Sequence, residues 1–491
     1  MSYIGKQPFE TPSSFTATAN GAISEGDPCI IEADGDIAAV AAFGTGIPTV
    51  GTAASASDTV GQTFEATFDS SQNVAIYAYH DPANSYYGTV VAFSISGGSI
   101  TAGTPTVFAT DYLAHVDITY DANAQKSVLF YYLNTSPYYG KCRVVTASGT
   151  TLTFGTETNF KTDNTRVESA TYDENAQKVV VFYSVSPAFD LKAVVGTISG
   201  TSITFGSEAS AITGTFYGQR GSAVYLPSSQ KVLIVTEDFT DNDLNAIVGT
   251  VSGTSISFGS VASLAFNMSN KLGLAVDNSD NVFILSADDD ATGDTPHVIG
   301  GSVSGTTFTF GTPVEVSTTD RCIYPAAVYD SDSDVFAFFY RELASTSSGI
   351  KAGTATVSGG TASVVATGKP VTTYNNFMRA FFVSSENKTI LLAYNATSPY
   401  SIDAYPVTTN ALTQNLTAEN FIGFAAKDAA DTADVTVQLS GAINNAQTGL
   451  TAGQKYYVQS DGSLDTTADD PSVVAGVALS ATEIAIDTSR D

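Results

Sequence analysis

The sequence predicts an all-β fold, a seven-bladed β-propeller inserted in a small β-barrel or sandwich domain formed by both chain ends. Three observations support this prediction: a pattern that occurs seven times, a strand-forming composition, and a shorter repetition that links the two ends. The 491 residues include 41 Gly, 24 Tyr and 28 Phe, and Thr, Ser and Val are abundant. This composition favours strands and turns over helices.

The main repeat consists of an aromatic or aliphatic residue, a polar turn and an apolar run, as in YDENAQKVVVF from Tyr172. A second signature, SGTSIT from Ser199 in the same copy, follows each turn at a nearly constant distance and has decayed to TTNALT (Thr408) in the last copy. Internal repetition of this kind decides the fold before any local pattern does. We number the copies repeat one to repeat seven; they begin at Phe68, Tyr120, Tyr172, Tyr225, Val276, Tyr329 and Val383.

Each copy contains four predicted strands, which in repeat three are RVESATYD, KVVVFYSV, LKAVVGTIS and SITFGSEAS. Alternating and β-branched residues form the strands, and Asp-Asn or Ser-Gly clusters supply the turns. Four-stranded units of this length favour a closed propeller over a solenoid, the alternative for any repeat. The predicted blades lie near 62–111, 112–164, 165–216, 217–267, 268–320, 321–374 and 375–415.

The loops between the second and third strands differ in every repeat, whereas the hairpin turns on the opposite face are nearly constant. Varied loops on a rigid scaffold are where binding usually occurs. Several of these loops carry aromatic residues, and tyrosine suits sugars and protein partners because it offers an apolar face and a hydroxyl. Packing between blades is the alternative role for these side chains. The candidate ligand-binding residues are Tyr86, Tyr87, Tyr138, Tyr139, Phe189, Phe239 and Tyr400.

The two chain ends share a pattern of their own, AISEGDPCIIEADGDI at 22–37 and GLTAGQKYYVQSDGSL at 449–464. Both place an Asp-Gly pair after a strand, which is a strong hairpin signal. The sequence therefore predicts that 1–45 and 416–491 form one anchoring β-domain and that 46–415 form the propeller.

Composition excludes several functions. Lys and Arg number 20 against 49 Asp and Glu, for a net charge of −29. A surface this acidic argues against nucleic acid and against anionic lipid as partners. The start has no apolar segment typical of a secretory signal, and no apolar run approaches the length of a membrane span. Cys29, Cys142 and Cys322 are interpreted as small core side chains.

Metal binding is the one cofactor function that the sequence leaves open; otherwise no cofactor is expected. Close-set carboxylates supply the hard oxygen ligands that Ca²⁺ prefers. The DSDSD run at 330–334 also qualifies, but its first Asp recurs in other repeats, where an Asx-type bond that closes the hairpin is favoured. The candidate metal ligands are Asp288, Asp289, Asp290 and Asp294.

A resemblance to known proteins joins these observations. The ending FIGFAAKDAADTADVTVQLSG…GLTAGQKYYVQSDGSLDTT…PSVVAGVALSATEIAI resembles a module at the ends of tail-fibre and other structural proteins of marine tailed bacteriophages. The repeat YDENAQKVVVFY…KAVVGTISGTSITFGS is similar to repeats in the same kinds of protein. The resemblance implies a virion protein made in the host cytoplasm, and it brings no catalytic motif.

The functional prediction is a non-enzymatic virion protein of the tail-fibre or tail-appendage type. The terminal β-domain would bind other virion proteins, the propeller would meet a host-surface glycan or protein, and the chain would form a homo-oligomer within the virion. The alternative is a capsid-decorating or head-fibre protein without a receptor role. A polysaccharide depolymerase is the third hypothesis; it needs paired carboxylates over a central pocket, and the absence of Trp removes the usual sugar-stacking platform.

Overall fold

The computed structural model describes residues 13–43, 46–61, 63–216, 220–240, 242–268, 271–288, 294–342, 349–373, 375–397, 399–409, 413–468 and 471–487. Within these ranges the fold is all-β and β-propeller-like, and only two short 3-10 turns, Pro82–Asn84 and Ser384–Glu386, interrupt the strands. No helix in the described part of the chain has the length and hydropathy needed to cross a membrane. Two compact units are present, Met1–Thr45 with Leu412–Asp491 and Gly46–Ala411.

The strands of the first half of the chain follow in order. The N-terminal segment contains β1 (Ser14–Thr18), β2 (Pro28–Ile31), β3 (Ile37–Ala39), β4 (Ala42–Phe43), β5 (Thr49–Val50) and β6 (Ala54–Ala56). Repeats one and two contain β7 (Phe64–Asp69), β8 (Val74–Asp81), β9 (Tyr87–Ser96), β10 (Ser99–Ala102), β11 (Thr106–Asp121), β12 (Lys126–Leu133), β13 (Gly140–Ser148), β14 (Thr151–Phe154) and β15 (Thr158–Lys161). Repeats three and four contain β16 (Thr165–Asp173), β17 (Lys178–Val185), β18 (Leu191–Ser199), β19 (Ser202–Phe205), β20 (Ala209–Ile212), β21 (Ser222–Leu226), β22 (Lys231–Asp238), β23 (Asp243–Ser252), β24 (Ser255–Phe258) and β25 (Ala262–Leu264).

The second half continues in the same way. Repeats five and six contain β26 (Gly273–Val276), β27 (Val282–Asp288), β28 (Thr295–Ser304), β29 (Thr307–Phe310), β30 (Val314–Glu315), β31 (Cys322–Asp330), β32 (Val335–Glu342), β33 (Gly349–Ser358) and β34 (Thr361–Val371). Repeat seven contains β35 (Asn375–Val383), β36 (Lys388–Asn395) and β37 (Ser401–Thr408). The C-terminal strands are β38 (Thr413–Gln414), β39 (Phe421–Ala425), β40 (Asp434–Gln438), β41 (Ile443–Asn444), β42 (Lys455–Val458), β43 (Leu464–Asp465), β44 (Val473–Ala478) and β45 (Ile484–Ile486).

Each of repeats three to six forms one antiparallel sheet of consecutive strands, such as β16-β17-β18-β19. Repeats one and two share a sheet because the long strand β11 pairs with β9 through its first residues and with β12 through its last ones. We call the first strand of each repeat its inner strand: β7, the second half of β11, β16, β21, β26, β31 and β35.

The sheet of repeat seven is completed by residues that precede all the repeats. Strand β37 pairs with β5 and with β6, so the outer strand comes from the start of the unit. The TTNALT segment was expected to supply this strand. Instead, Thr413 and Gln414 in β38 pair with β4, within the other unit.

The hairpin turn after the inner strand explains the residue pattern that the repeats share. Asp173 Oδ1 accepts the Ala176 N–H at 2.8 Å, and Asp121 accepts the Ala124 N–H at the same distance. Gln177 has a φ of 55° and is left-handed, a conformation that the turn imposes on a residue other than glycine. The predicted Asx-type closure is therefore present, and Asp330, the first residue of the DSDSD run, accepts the same kind of hydrogen bond.

The propeller-like core lies between neighbouring sheets, and the second strands are buried on both faces. Val181 of β17 packs with Phe130 of repeat two, whereas Phe182, the next residue, packs with Ile234 of repeat four. Alternate side chains therefore fill two different cores. This is why each second strand is a continuous apolar run rather than an alternating one.

The terminal unit contains strands from both ends of the chain. Its two five-stranded sheets have the orders β1-β40-β39-β2-β3 and β41-β45-β44-β42-β43. Ile30, Phe424 and Ile484 belong to one buried cluster, so the ends share a core. Cys29 is buried in this unit and Cys142 and Cys322 are buried in the other, all as free thiols.

Candidate functional site

The inner strands converge on a cavity of 230 Å³ that all seven of them line. In each repeat, we call the residue four positions before the first turn residue the channel position. The first turn residues are Asp69, Asp121, Asp173, Leu226, Asp277, Asp330 and Val383. Hydrogen-bonded pairing fixes this equivalence, because Glu65, Asp117 and Arg379 oppose Ala78, Phe130 and Leu392 at the same distance from their turns. The channel positions are Glu65, Asp117, Ser169, Ser222, Gly273, Ala326 and Arg379.

Glu65 is the anion of this cavity. Arg379 donates to both of its carboxylate oxygens, through Nε and, at 2.7 Å, through Nη2. Lys271 Nζ lies 3.7 Å from Glu65 Oε2, and both cations stand 4.7 Å from the centre of the Phe64 ring. Burial opposes the ionisation of Glu65, but Arg379 and Lys271 outweigh it and hold its pKa below the usual value.

Asp117 lies on the neighbouring inner strand, and its pKa is shifted in the opposite direction from that of Glu65. It is 5% exposed and accepts a hydrogen bond from Ser169. Burial, followed by the negative charge of Glu65, raises the pKa of Asp117 to about 8. The group therefore keeps its proton at neutral pH while Glu65 is charged.

Glu168 adds a third carboxyl next to these residues. Its Oε1 accepts the Gly221 N–H at 2.8 Å and the Thr236 hydroxyl at 2.5 Å, whereas its Oε2 is buried without a hydrogen-bond partner. Burial raises the pKa of Glu168 to about 6, although those two hydrogen bonds act against it. Glu168 therefore changes charge just below neutral pH.

Two nitrogen bases complete the group. Burial lowers the pKa of Lys271 to about 8 despite the attraction of Glu65. His115 is 1% exposed, and its Nδ1 has no hydrogen-bond partner. Burial, with Lys271 and Arg379, holds the pKa of His115 well below its usual value, so the ring is neutral.

This arrangement can perform acid–base chemistry. A protonated carboxyl and a carboxylate, set on neighbouring strands of one cavity, are the two groups that glycoside hydrolysis requires. We call Glu65, Asp117, Lys271 and Arg379 the channel cluster. None of these residues was predicted as a site, although paired carboxylates over a central pocket were recognised as the requirement for sugar cleavage. Aligning the repeats on their first residues places charge at the channel position in repeats one and two only. In repeat seven this alignment places Ala380 there, and only the pairing of Val383 with Lys388 identifies Arg379 as the equivalent residue.

The predicted aromatic loops lie elsewhere, between second and third strands. Tyr86 is 40% exposed and stacks on Tyr112 with 4.7 Å between ring centres, and His80 meets Tyr86 edge-on at 5.3 Å. Tyr87 begins β9. The residues Tyr86, Tyr138 and Phe189 occupy equivalent places, because each is left-handed and its carbonyl accepts an N–H from the start of the next repeat.

The other aromatic candidates differ in their surroundings. The Tyr138 ring lies 5.5 Å from the Arg166 guanidinium, and with Tyr139 it lines a 340 Å³ pocket beside the Lys141–Glu157 ion pair. Phe239 lies under Arg220 at 4.7 Å, and Asn242, not Phe239, has the left-handed conformation in its loop. Tyr400 is 46% exposed and stacks on Tyr394 at 6.3 Å.

The predicted metal ligands fall largely outside the described residues. Asp289 and Asp290 are not described, and of Asp288 only the backbone is. Asp294 is described, and its Oδ2 pairs with Arg321 Nη2 at 2.5 Å. Within the described ranges, no group of three His, Cys, Asp or Glu side chains is arranged to hold a metal ion.

No protein-family model and no curated protein sequence matches the chain. Several solved structures show a distant similarity to it. AofleA from Arthrobotrys oligospora is 10% identical, with 62% of this chain and 87% of that chain covered and a TM-score of 0.40. NanB sialidase from Streptococcus pneumoniae is 12% identical (72% and 69% covered, TM-score 0.44). The intramolecular trans-sialidase from Ruminococcus gnavus is 9% identical (72% and 95% covered, TM-score 0.43).

These comparisons correct two predictions. The solved structures named above include a sialidase and a trans-sialidase, and this finding contradicts the predicted tail-fibre or tail-appendage function. The prediction that the chain is not an enzyme is contradicted by the same sialidases and trans-sialidases. The resemblance to phage structural proteins and the virion localisation stay predictions. So do the virion partners and the homo-oligomer. At these identities no residue role is transferred to this chain.

Proposed function

We propose that this chain is a seven-bladed β-propeller that binds a glycan in its central channel and cleaves a glycosidic bond there. Seven inner strands around one cavity support seven blades, and β5 and β6 would close the seventh. The two terminal sheets with a shared core support a small sandwich or barrel built from both chain ends.

The observation that carries the activity is the opposite ionisation of Glu65 and Asp117 on neighbouring strands of one cavity. Asp117 acts as the general acid that protonates the leaving oxygen, since its raised pKa keeps the proton available. Glu65 supplies the carboxylate on the other side of the bond, as nucleophile or as base towards water. Arg379 and Lys271 keep Glu65 ionised in a buried place.

The test is release of reducing ends from a panel of neutral and acidic polysaccharides by the purified chain. Asp117→Asn is the decisive variant because the amide replaces a group that is already uncharged, so the fold should persist. We expect activity to fall by about 10²–10⁴-fold, the usual contribution of a general acid. Asp434→Asn, an exposed change in the terminal unit, is the matched control. Full activity in Asp117→Asn, or no release from any glycan, would overturn the proposal.

Glycan binding without cleavage is the second candidate, and the exposed Tyr86–Tyr112 stack favours it. Aromatic rings give sugars an apolar platform, and the adjacent hydroxyls give them hydrogen bonds. A glycan array probed with the wild type, Tyr86→Ala and Asp117→Asn separates the candidates. Binding that needs Tyr86 but not Asp117, with no reducing ends released, supports recognition alone.

A further inference from the structure

A second cavity, of 540 Å³, lies at the turn end of the inner strands. Turn residues such as Ser70, Glu174 and Ser331 line it, and these three are exposed. We call this cavity the vestibule. Its volume is within the range of small-molecule sites in proteins, about 300–1,000 Å³. It lies on the nearly constant turn face, where the sequence predicted only scaffold.

One side of the vestibule carries hydroxyl groups. Thr67, Thr119 and Thr171 line it and are 7–8% exposed. They occupy the same place in repeats one, two and three, two residues beyond the channel position. A strand rises about 3.3 Å per residue, so this layer lies roughly 7 Å along the axis from Glu65 and Asp117. Each hydroxyl can both donate and accept a hydrogen bond.

The other side of the vestibule is apolar. The same place in repeats five, six and seven is occupied by Ala275, Val328 and Phe381, which also line the cavity. Around the rim stand the residues just before each turn, among them Tyr120 and Tyr172. The turn of the preceding repeat holds both rings: Tyr120 is hydrogen-bonded to Ser70 and Ser71, and the Tyr172 hydroxyl accepts the Asn123 N–H at 3.2 Å.

The vestibule therefore has a hydroxyl-bearing side facing an apolar side, and its inner wall contains no charged side chain among the described residues; Glu174 lies at the exposed rim. A pyranose ring has the matching chemistry, with hydroxyls at its edge and an apolar C–H face. We propose that the vestibule is a binding site for a neutral sugar unit, separate from the channel cluster. Thr67, Thr119 and Thr171 bond its hydroxyls, and Val328 and Phe381 pack against its apolar face.

The test uses Asp117→Asn protein, in which any turnover is expected to be slow. It is titrated with glucose, galactose, mannose and N-acetylglucosamine, and binding is followed by saturation-transfer NMR and calorimetry. Thr119→Val/Thr171→Val keeps the shape of both side chains and removes two hydroxyls, and we expect about tenfold weaker binding or more, a typical result for two lost hydrogen bonds. Thr119→Ser/Thr171→Ser should retain binding. Thr204→Val, an exposed threonine in an outer strand of the same sheet as Thr171, is the control and should bind as the parent does.

Phe381→Leu is an independent variant that alters only the apolar side, and it should weaken binding several-fold. Binding of none of the four sugars at millimolar concentration would overturn the proposal. Equal binding by the Val double variant and the parent, at unchanged melting temperature, would also do so. The two proposals fail separately. Sugar binding that depends on Thr119 and Thr171, without any cleavage by the wild type, leaves the vestibule standing and removes the channel activity.

Discussion

Repeats one to three and repeats four to six place different kinds of residue at equivalent positions of their inner strands. In the first group the channel position and the place two residues later hold Glu65 and Thr67, Asp117 and Thr119, Ser169 and Thr171. In the second group these places hold Ser222 and Val224, Gly273 and Ala275, Ala326 and Val328. We call the two groups the polar half and the apolar half. Most of the turns and the second strands are alike in both halves, so the backbone is repeated while its lining is specialised.

This difference shows at which positions of the repeat the residue type is constrained and at which it can vary. Turn residues are constrained by local geometry: Gly200, for example, has a φ of 62°, which favours glycine. Channel positions contact residues of other repeats, as Glu65 contacts Arg379 and Ser169 contacts Ala223, and they lie outside the hairpin turns. Charge has accumulated where repeat seven meets repeat one, through Arg379 and Glu65.

The largest effect is expected at that junction. Arg379→Leu leaves Glu65 in its buried place with Lys271 as its remaining cation, and the loss of one partner from a buried pair costs about 3–5 kcal/mol of unfolding free energy. Chemical denaturation measures the change, and adding Glu65→Gln should recover part of it. Arg321→Ala removes an ion pair whose arginine is 46% exposed and should cost about 0–1 kcal/mol. Equal losses of unfolding free energy in the two arginine variants would show that the buried Arg379–Glu65 ion pair does not stabilise the fold more than an exposed pair.

The next effect concerns pH and the polar half. The pKa of Asp117 is raised to about 8 in the folded chain, above its unfolded value, so between about pH 4 and pH 8 the unfolded state releases a proton that the folded state keeps. This group therefore lowers stability as pH rises through that window. Asp117→Asn should flatten the decline in denaturation midpoints between pH 5 and pH 8, whereas Asp434→Asn should not. An unchanged slope in Asp117→Asn would mean that Asp117 is ionised in the folded protein.

A smaller effect tests the turns of the apolar half. Repeat four has Leu226 where repeat three has the capping Asp173, and Asp280 of repeat five accepts the N–H groups of Ser228 and Ser229 at 2.9 and 2.7 Å instead. Asp280→Ala should therefore lower the unfolding free energy by about 1.5–3 kcal/mol, the size of a lost charged hydrogen bond.

Asp332→Ala, in the exposed part of another turn, is the control and should remain within about 0.5 kcal/mol. A similar loss in both variants would assign the effect to turn residues in general and not to capping across repeats.

The smallest effect on stability is expected in the varied loops. Tyr86 is 40% exposed and contributes mainly its stack with Tyr112, so Tyr86→Ala should cost about 0.5–1.5 kcal/mol. Thermal melting measures this cost. The loss of glycan-binding free energy should be larger than the loss of unfolding free energy. A loss above about 2 kcal/mol would instead place Tyr86 among the packing residues.

How much the sequence predicts depends on how local the cause is. Asp173, Gln177 and Gly200 act on their own hairpins, and the all-β prediction and the Asx-type turn closure follow from such residues. The aromatic loops were also visible, because Tyr86 and Tyr138 occupy equivalent places in neighbouring repeats. These features need no knowledge of how distant repeats meet.

The channel cluster has the opposite origin. Glu65 and Arg379 are 314 residues apart, and only the return of repeat seven to repeat one brings them together. The raised pKa of Asp117 depends on burial by neighbouring sheets and on the charge of Glu65. Neither cause leaves a motif near the residue. Likewise, the contribution of β5 and β6 to repeat seven was missed because two short, ordinary strands carry no trace of their partner.

Because β5 and β6 complete the sheet of repeat seven, the junction of this repeat differs from the junctions between successive repeats. Successive repeats are linked by continuous chain. Repeat seven is instead joined by strand pairing, of β37 with β5 and β6, to the segment that precedes repeat one. Within this pairing Ser55 donates to Asp403, 348 residues further on, at 2.6 Å. During synthesis the early strand emerges long before its partner and must wait with an open edge. We therefore expect the pairing of β37 with β5 and β6 to form last during folding and to separate first under tension.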